Sequence, residues 1–130
     1  MAKEEEEDII IVAETISIEE GKHTGTITDV IVRTSEAEGY EYVDIHVDTD
    51  DDKGETVNIK FGFPKYISVN SSFGKFLTET GFSFEAGDTV TLPNIKEHLK
   101  GKEITFQTMN EDVAGKGIFA RILRETVKVS

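Results

Sequence analysis

The chain has 130 residues, no cysteine and a formal net charge of −12, which excludes disulfides and thiolate metal sites and bounds it to one domain burying roughly two thirds of its unfolded surface. The charge is uneven: residues 1–55 hold eighteen Asp/Glu against four Lys/Arg, a balance of −14, whereas residues 56–130 hold eight against ten, a balance of +2. Phosphate attraction supplies most nucleic-acid affinity, so the first half argues against such binding and the second half leaves it open.

Residues 2–8 read as a solvated acidic lead of the kind that stays disordered. The longest apolar run, Ile9-Ile10-Ile11-Val12-Ala13, is far too short to span a bilayer, and the acid before it is unlike the basic start of a signal peptide. The expectation is a cytoplasmic protein with residues 1–14 as a partly disordered lead and 15–130 as a single domain. The lead itself has two readings: a solubilising tail, or a nucleic-acid mimic that occupies a basic face or docks onto basic partners.

Strand signals then dominate. Residues 24–33 form the first long strand, whose apolar positions change parity between Ile27 and Val30; this points to a bulge or sharp coil, with Gly25 easing the bend. Glu36-Ala37-Glu38-Gly39 is a turn. Residues 40–48 alternate cleanly, with Val43, Ile45 and Val47 on one face and Tyr42, Asp44, His46 and Asp48 on the other. After a turn at residues 50–54, the third strand (55–63) puts Val57, Ile59, Phe61 and Phe63 on one face and Asn58 and Lys60 opposite, and Pro64 ends it.

One helix follows: Asn70, Ser71 and Ser72 offer caps, Phe73, Phe76 and Leu77 share a face, and Gly81 is a stop. Gly74 inside it is expected to serve close packing against the sheet. Residues 88–92 read as a short strand and 93–100 as one or two helical turns. Residues 103–109 and 117–123 form a hairpin that Val127 and Val129 extend. Three meandering strands, a helix and a hairpin describe an all-β protein with one helix, a five-stranded OB-fold barrel; the alternative is a β-sandwich with one helix.

Several segments resemble the small OB-fold single-stranded-DNA-binding proteins of phages, archaeal viruses and some microbial replicons. They are Gly21-Lys22-His23-Thr24-Gly25, Gly39-Tyr40-Glu41-Tyr42-Val43-Asp44-Ile45, Phe63-Pro64-Lys65-Tyr66-Ile67-Ser68, Ser72-Phe73-Gly74-Lys75-Phe76-Leu77, Leu99-Lys100-Gly101-Lys102 and Gly117-Ile118-Phe119-Ala120-Arg121-Ile122. The resemblance spans about residues 20–128 and implies non-catalytic, sequence-tolerant binding of single-stranded DNA, or RNA, in replication or recombination. Such proteins often carry an acidic tail at the C-terminus, whereas here the acid leads.

Sequence-tolerant binding of single strands needs aromatic faces for bases and cations for the backbone. The candidates are Tyr42, Lys60, Lys65, Tyr66, Lys75, Lys116, Phe119 and Arg121, with His46 and Arg33 as outliers. Tyr42, His46, Asn58 and Lys60 share the polar parity of two strands. Phe119 and Arg121 share a parity opposite Ile118, Ala120 and Ile122. The competing reading makes Tyr42 and Phe119 second-layer core, and Phe63-Pro64-Lys65-Tyr66 is either an aromatic-basic lip or an ordinary connection. Asp44 and Asp48 fall on the same face and count against it, or compete for its cations. Asp48, Asp50 and Asp52 imitate a calcium loop, but the glycine comes late and Ile59 stands where the loop needs Glu, so a solvated turn is expected. His23, His46 and His98 lack metal-ligand spacing. No nucleophile–base pair or phosphate loop is evident, so neither enzyme activity nor a cofactor is expected. A protein–protein adaptor that meets basic partners through its acidic surface is the rival function.

Overall fold

The computed structural model describes residues 14–15, 18–115 and 117–129; the acidic lead, the apolar run 9–13 and Lys116 lie outside them. The elements are β1 (Glu14–Thr15), β2 (Gly21–Thr34), β3 (Glu41–Asp50), β4 (Thr56–Pro64), α1 (Ser72–Glu79), α2 (Leu92–Leu99), β5 (Glu103–Val113) and β6 (Gly117–Val129). All described strands belong to one sheet in the order β1-β6-β5-β2-β3-β4. It is antiparallel except at the short β1, which lies parallel to β6. The fold is therefore a mostly antiparallel sheet with two helices, not the two stacked sheets of a sandwich. Its edges are β1 and β4, and Arg124 of β6 reaches over to β4, donating from Nη1 to the Gly62 carbonyl (3.1 Å) with its guanidinium 5.0 Å from the centre of the Phe63 ring.

β2 is long because it serves two neighbours: Gly21 to Thr26 pairs with β5, and Thr26 to Thr34 pairs with β3. The parity change is a bulge. Ile27 pairs with Val47 but Asp29 pairs with His46, so Thr28 is the extra residue and both Ile27 and Val30 point inward. Gly25 is required by close approach: a Cβ there would stand 2.6 Å from Val47 Cγ1 and 2.8 Å from the Asp48 carbonyl oxygen.

Val43, Ile45 and Val47 of β3 and Ile59, Phe61 and Phe63 of β4 fill the core. α1 closes one end of it. Ser71 Oγ accepts from Gly74 N (2.9 Å), supplying the N-cap, and Phe73, Phe76 and Leu77 are buried. Phe73 stacks on Phe63 (5.2 Å between centres) and Phe76 meets Phe61 edge-on (5.6 Å). Gly74 does serve close packing, but against the Ser68 carbonyl ahead of the helix, not against the sheet.

Three expectations are corrected. Residues 88–91 are irregular, and Leu92, expected to end a strand, opens a second helix capped by Thr91 Oγ1, which accepts from Asn94 N (3.3 Å). Pro93 sits in its first turn, where no N–H is needed. Val90 and Leu92 are apolar because they pack on the core beside Ile95 and Leu99, so the run mimics a strand without pairing. The described residues accordingly form two helices. Ile118, expected inward with Ala120 and Ile122, is exposed at the turn end of the β5–β6 hairpin, opposite Asp112 and Thr15. The hairpin is otherwise as expected and longer, with Val127 buried; where its register shifts, Gln107 N donates to Thr126 Oγ1 (2.9 Å).

Among the described residues, no helix is long and apolar enough to cross a membrane.

Candidate functional site

The pairing of β3 with β4 sets the site. Tyr42 lies opposite Pro64, Asp44 opposite Gly62, His46 opposite Lys60 and Asp48 opposite Asn58. On the other side Arg33 of β2 lies opposite Tyr42. The outer face of these three strands therefore carries Arg33, Tyr42, Asp44, His46, Asp48, Lys60 and Asn58 in one stripe, about 20 Å long at strand rise from Tyr42 to Asp48.

At one end the Tyr42–Pro64 pairing brings the β2–β3 turn against the chain leaving β4. A cleft of about 450 Å³ opens there, lined by Gly39, Tyr40, Glu41, Tyr42, Lys65 and Tyr66, with Pro64 between them. The chain contains three tyrosines, and all three line this cleft. Tyr40 and Tyr66 are each 66% exposed, which is unusual for side chains whose area favours burial. Tyr42 is half-buried: the Arg33 guanidinium lies 5.0 Å from its ring centre, and its hydroxyl donates to Glu38 Oε1 (3.3 Å). The Glu38 charge, followed by burial, pushes the Tyr42 phenol above its ordinary value, so it stays neutral and donating. The position of the lip is fixed by backbone bonds from Lys65 N to Glu41 O (3.0 Å) and from Tyr66 N to Pro64 O (2.7 Å).

Arg33 and Lys60 on the stripe and Lys65 in the cleft each have an acidic partner. Lys65 Nζ meets Glu41 Oε1 (3.2 Å). Arg33 Nε meets Asp44 Oδ2 (2.8 Å), and Lys60 Nζ shares that oxygen (3.4 Å). Asp44 is only 4% exposed, although it lies on the outward parity of β3. The reason is Gly62 opposite: having no side chain, it leaves a notch, and a Cβ there would stand 2.6 Å from Asp44 Oδ1. Burial pushes the Asp44 carboxyl up, but the hydrogen bond from Arg33 and the charges of Lys60 and Arg33 outweigh it and hold the carboxyl below its ordinary value. The same bond pushes the Arg33 guanidinium up.

Further along, His46 Nδ1 and Asn58 Oδ1 are 2.8 Å apart, and Asn58 Nδ2 donates to Asp48 Oδ1 (2.9 Å) and Thr28 Oγ1 (3.3 Å). Beyond Asp48 the β3–β4 turn closes on itself: the Asp51 carboxylate accepts from Lys53 N and Glu55 N (2.9 Å each). No set of three or more His, Asp or Glu among the described residues is placed to hold a metal ion.

Of the eight expected binding residues, Tyr42, Lys65 and Tyr66 line one cleft, and Lys60 joins them through Asp44. The other described candidates sit elsewhere. Phe119 is half-buried and Arg121 exposed on β6, where Arg121 Nη1 meets Glu111 Oε2 (3.5 Å), and Lys75 is exposed on α1. Lys116 lies outside the described residues. Tyr40 is not among the eight, although a strand over residues 40–48 puts it on the parity of Tyr42; in the structure β3 begins at Glu41 and Tyr40 lies just before it. Lys65 and Tyr66 also line a second, more apolar groove of about 540 Å³, with Val43, Phe73, Phe84 and Leu92 among its walls and Glu85 and Asp88 at its margin. Neither a family model nor a curated protein sequence matches this chain.

Proposed function

We propose that the protein is a non-catalytic binder of single-stranded DNA whose bases stack in the tyrosine cleft and whose backbone runs along the outer face of β3 and β4. One observation carries this reading: every tyrosine of the chain lines the same solvent-open cleft, beside Lys65. A core would not leave Tyr40 and Tyr66 two thirds exposed, whereas a stacking platform needs them so. The Arg33 guanidinium on Tyr42 extends the platform, because bases stack on guanidinium planes as on rings.

The same reading takes the sheet as a five-stranded OB barrel. It is supported by the order β6-β5-β2-β3-β4, by β2 shared between two neighbours, by helices inserted between β4 and β5, and by Arg124 tying β6 to β4. The cations of the face are already paired with carboxylates, so stacking carries more of the affinity than charge does. Replication or recombination is the setting in which exposed single strands need such a protein.

Titrating a labelled single-stranded oligonucleotide against the wild type and Tyr40→Ala tests the proposal. Each stacked base is worth about 1–3 kcal/mol, so the variant should bind about five- to 150-fold more weakly. Equal binding by both proteins would refute the cleft.

A protein-binding module is the second reading, favoured by the apolar groove, whose acidic margin (Glu85, Asp88) suits an apolar segment carrying a basic residue. It predicts no oligonucleotide affinity even at low salt.

A further inference from the structure

We propose that Asp44 is a positioning residue: it holds Arg33 and Lys60 as a two-cation fork that grips one phosphodiester of the bound strand, next to the base stacked at Tyr42. The inference rests on the single-strand reading and assigns Asp44 the opposite role from the one its charge suggests.

Geometry carries the argument. The carboxylate is buried in the notch left by Gly62, so it presents little surface to an incoming phosphate. Its partners remain open: the side chain of Arg33 is 47% exposed and that of Lys60 53%. Arg33 uses Nε for its short bond to Oδ2, and only one terminal nitrogen, Nη2, reaches Oδ1, at 3.5 Å. The outer edge of the guanidinium is therefore left with donors for an anion. Lys60 uses one of its three donors. Both cations touch the same carboxylate oxygen, which places their head groups close enough to share one phosphate. Tyr42 fixes the plane of the guanidinium from the other side. Two cations against one carboxylate leave the fork with a net charge of +1, whereas Lys65 in the adjoining cleft is matched by Glu41.

The test opposes positioning to simple charge. Asp44→Asn keeps the shape and removes a negative charge, so electrostatics alone must tighten binding and steepen the salt slope by about 0.7. A positioning role predicts the reverse. Both cations share Oδ2, so the amide oxygen can take its place but bonds them without the carboxylate's charge, and the N–H₂ group stands where Oδ1 faced Arg33 Nη2, which loosens the fork. Binding of a labelled oligothymidylate should then weaken about tenfold without a steeper slope.

Asp48→Asn is the control on the same face. It lies outside the fork, so losing its charge should tighten binding about twofold. Arg33→Lys, at a side chain 47% exposed, keeps the charge but loses the planar fork and should weaken binding about fivefold. Thermal melting of each variant identifies any that fail to fold, and Arg33→Lys decides the matter if Asp44→Asn is one of them. Tighter binding by Asp44→Asn, or unchanged binding by Arg33→Lys, overturns the inference while leaving the single-strand reading intact. A wild-type protein that binds no oligonucleotide removes both.

Discussion

Replacing Gly74 by alanine sets two effects of opposite sign against each other. In an unconstrained helix the change stabilises by about 1 kcal/mol, because alanine orders at lower entropic cost. Here a Cβ at position 74 would stand 1.8 Å from the Ser68 carbonyl oxygen and 2.9 Å from Ser71 Oγ. Real Cβ atoms essentially never approach within 3.0 Å, so the carbonyl would have to retreat by about 1.2 Å. It is not free to do so. That oxygen accepts from Ser71 N (3.2 Å) and Ser71 Oγ (3.1 Å), and Ser71 Oγ in turn accepts from Ser68 N and Gly74 N (2.9 Å each). Breaking the cap costs about 1 kcal/mol and overpacking about 1–3 kcal/mol more. After the propensity gain, Gly74→Ala should lose about 1–3 kcal/mol. Urea unfolding measures it as a lower midpoint at constant slope, with Ser71→Ala, losing about 1 kcal/mol, alongside. A Gly74→Ala protein as stable as the wild type would refute the reasoning and show that the Ser68–Ser71 turn yields easily.

The other predictions read the core, the lip and the carboxylates. Leu77→Ala, at a fully buried position of α1, should cost about 2–5 kcal/mol in urea unfolding; a loss well below 1 kcal/mol would mean that α1 packs loosely. Tyr66→Ala should leave stability within about 0.5 kcal/mol, since the side chain is largely exposed, yet weaken oligonucleotide binding by about 1–3 kcal/mol; unchanged binding would remove Tyr66 from the cleft's function. Asp29, hydrogen-bonded by Lys96, and Asp44 both have carboxyls held below the ordinary value of 3.8. The unfolded chain therefore binds protons first, so the stabilisation is complete above that value and is lost as pH falls through the folded-state values. The urea midpoint should be flat from about pH 7 to 5 and drop below about pH 4, with a shallower drop in Asp44→Asn; a midpoint that rises on acidification would contradict the assignment.

What was legible in the sequence followed from periodicity. Alternation along residues 42–48 and 57–63 showed both faces of β3 and β4, because one side meets the core and the other meets water. The parity change from Ile27 to Val30 disclosed the bulge at Thr28. The start of α2 is hidden in the sequence because Val90 and Leu92 look like a strand when they are a loop and a helix end pressed on the core. The site was legible only where it lies on a strand. Tyr42 and Lys60 could be placed by parity, but the meeting of Tyr40 with Lys65 and Tyr66 depends on the Tyr42–Pro64 register, which no local pattern encodes. Asp44 misled most. A carboxylate on a polar parity reads as solvated, and the one cue to its burial was a glycine eighteen residues on, Gly62, whose place opposite it only the pairing reveals.

The central claim is that bases stack on the tyrosines and that charge contributes little. The chain has three tyrosines and no tryptophan, and all three tyrosines line the cleft, so intrinsic tyrosine emission reports on the site directly. Titrating single-stranded oligothymidylate into the protein at about 50 and 200 mM salt should give saturable quenching at both, with affinity falling only about three- to sevenfold, as expected when one or two phosphates are neutralised. Emission that does not change at low salt, or an affinity that collapses a thousandfold at the higher salt, would contradict the account.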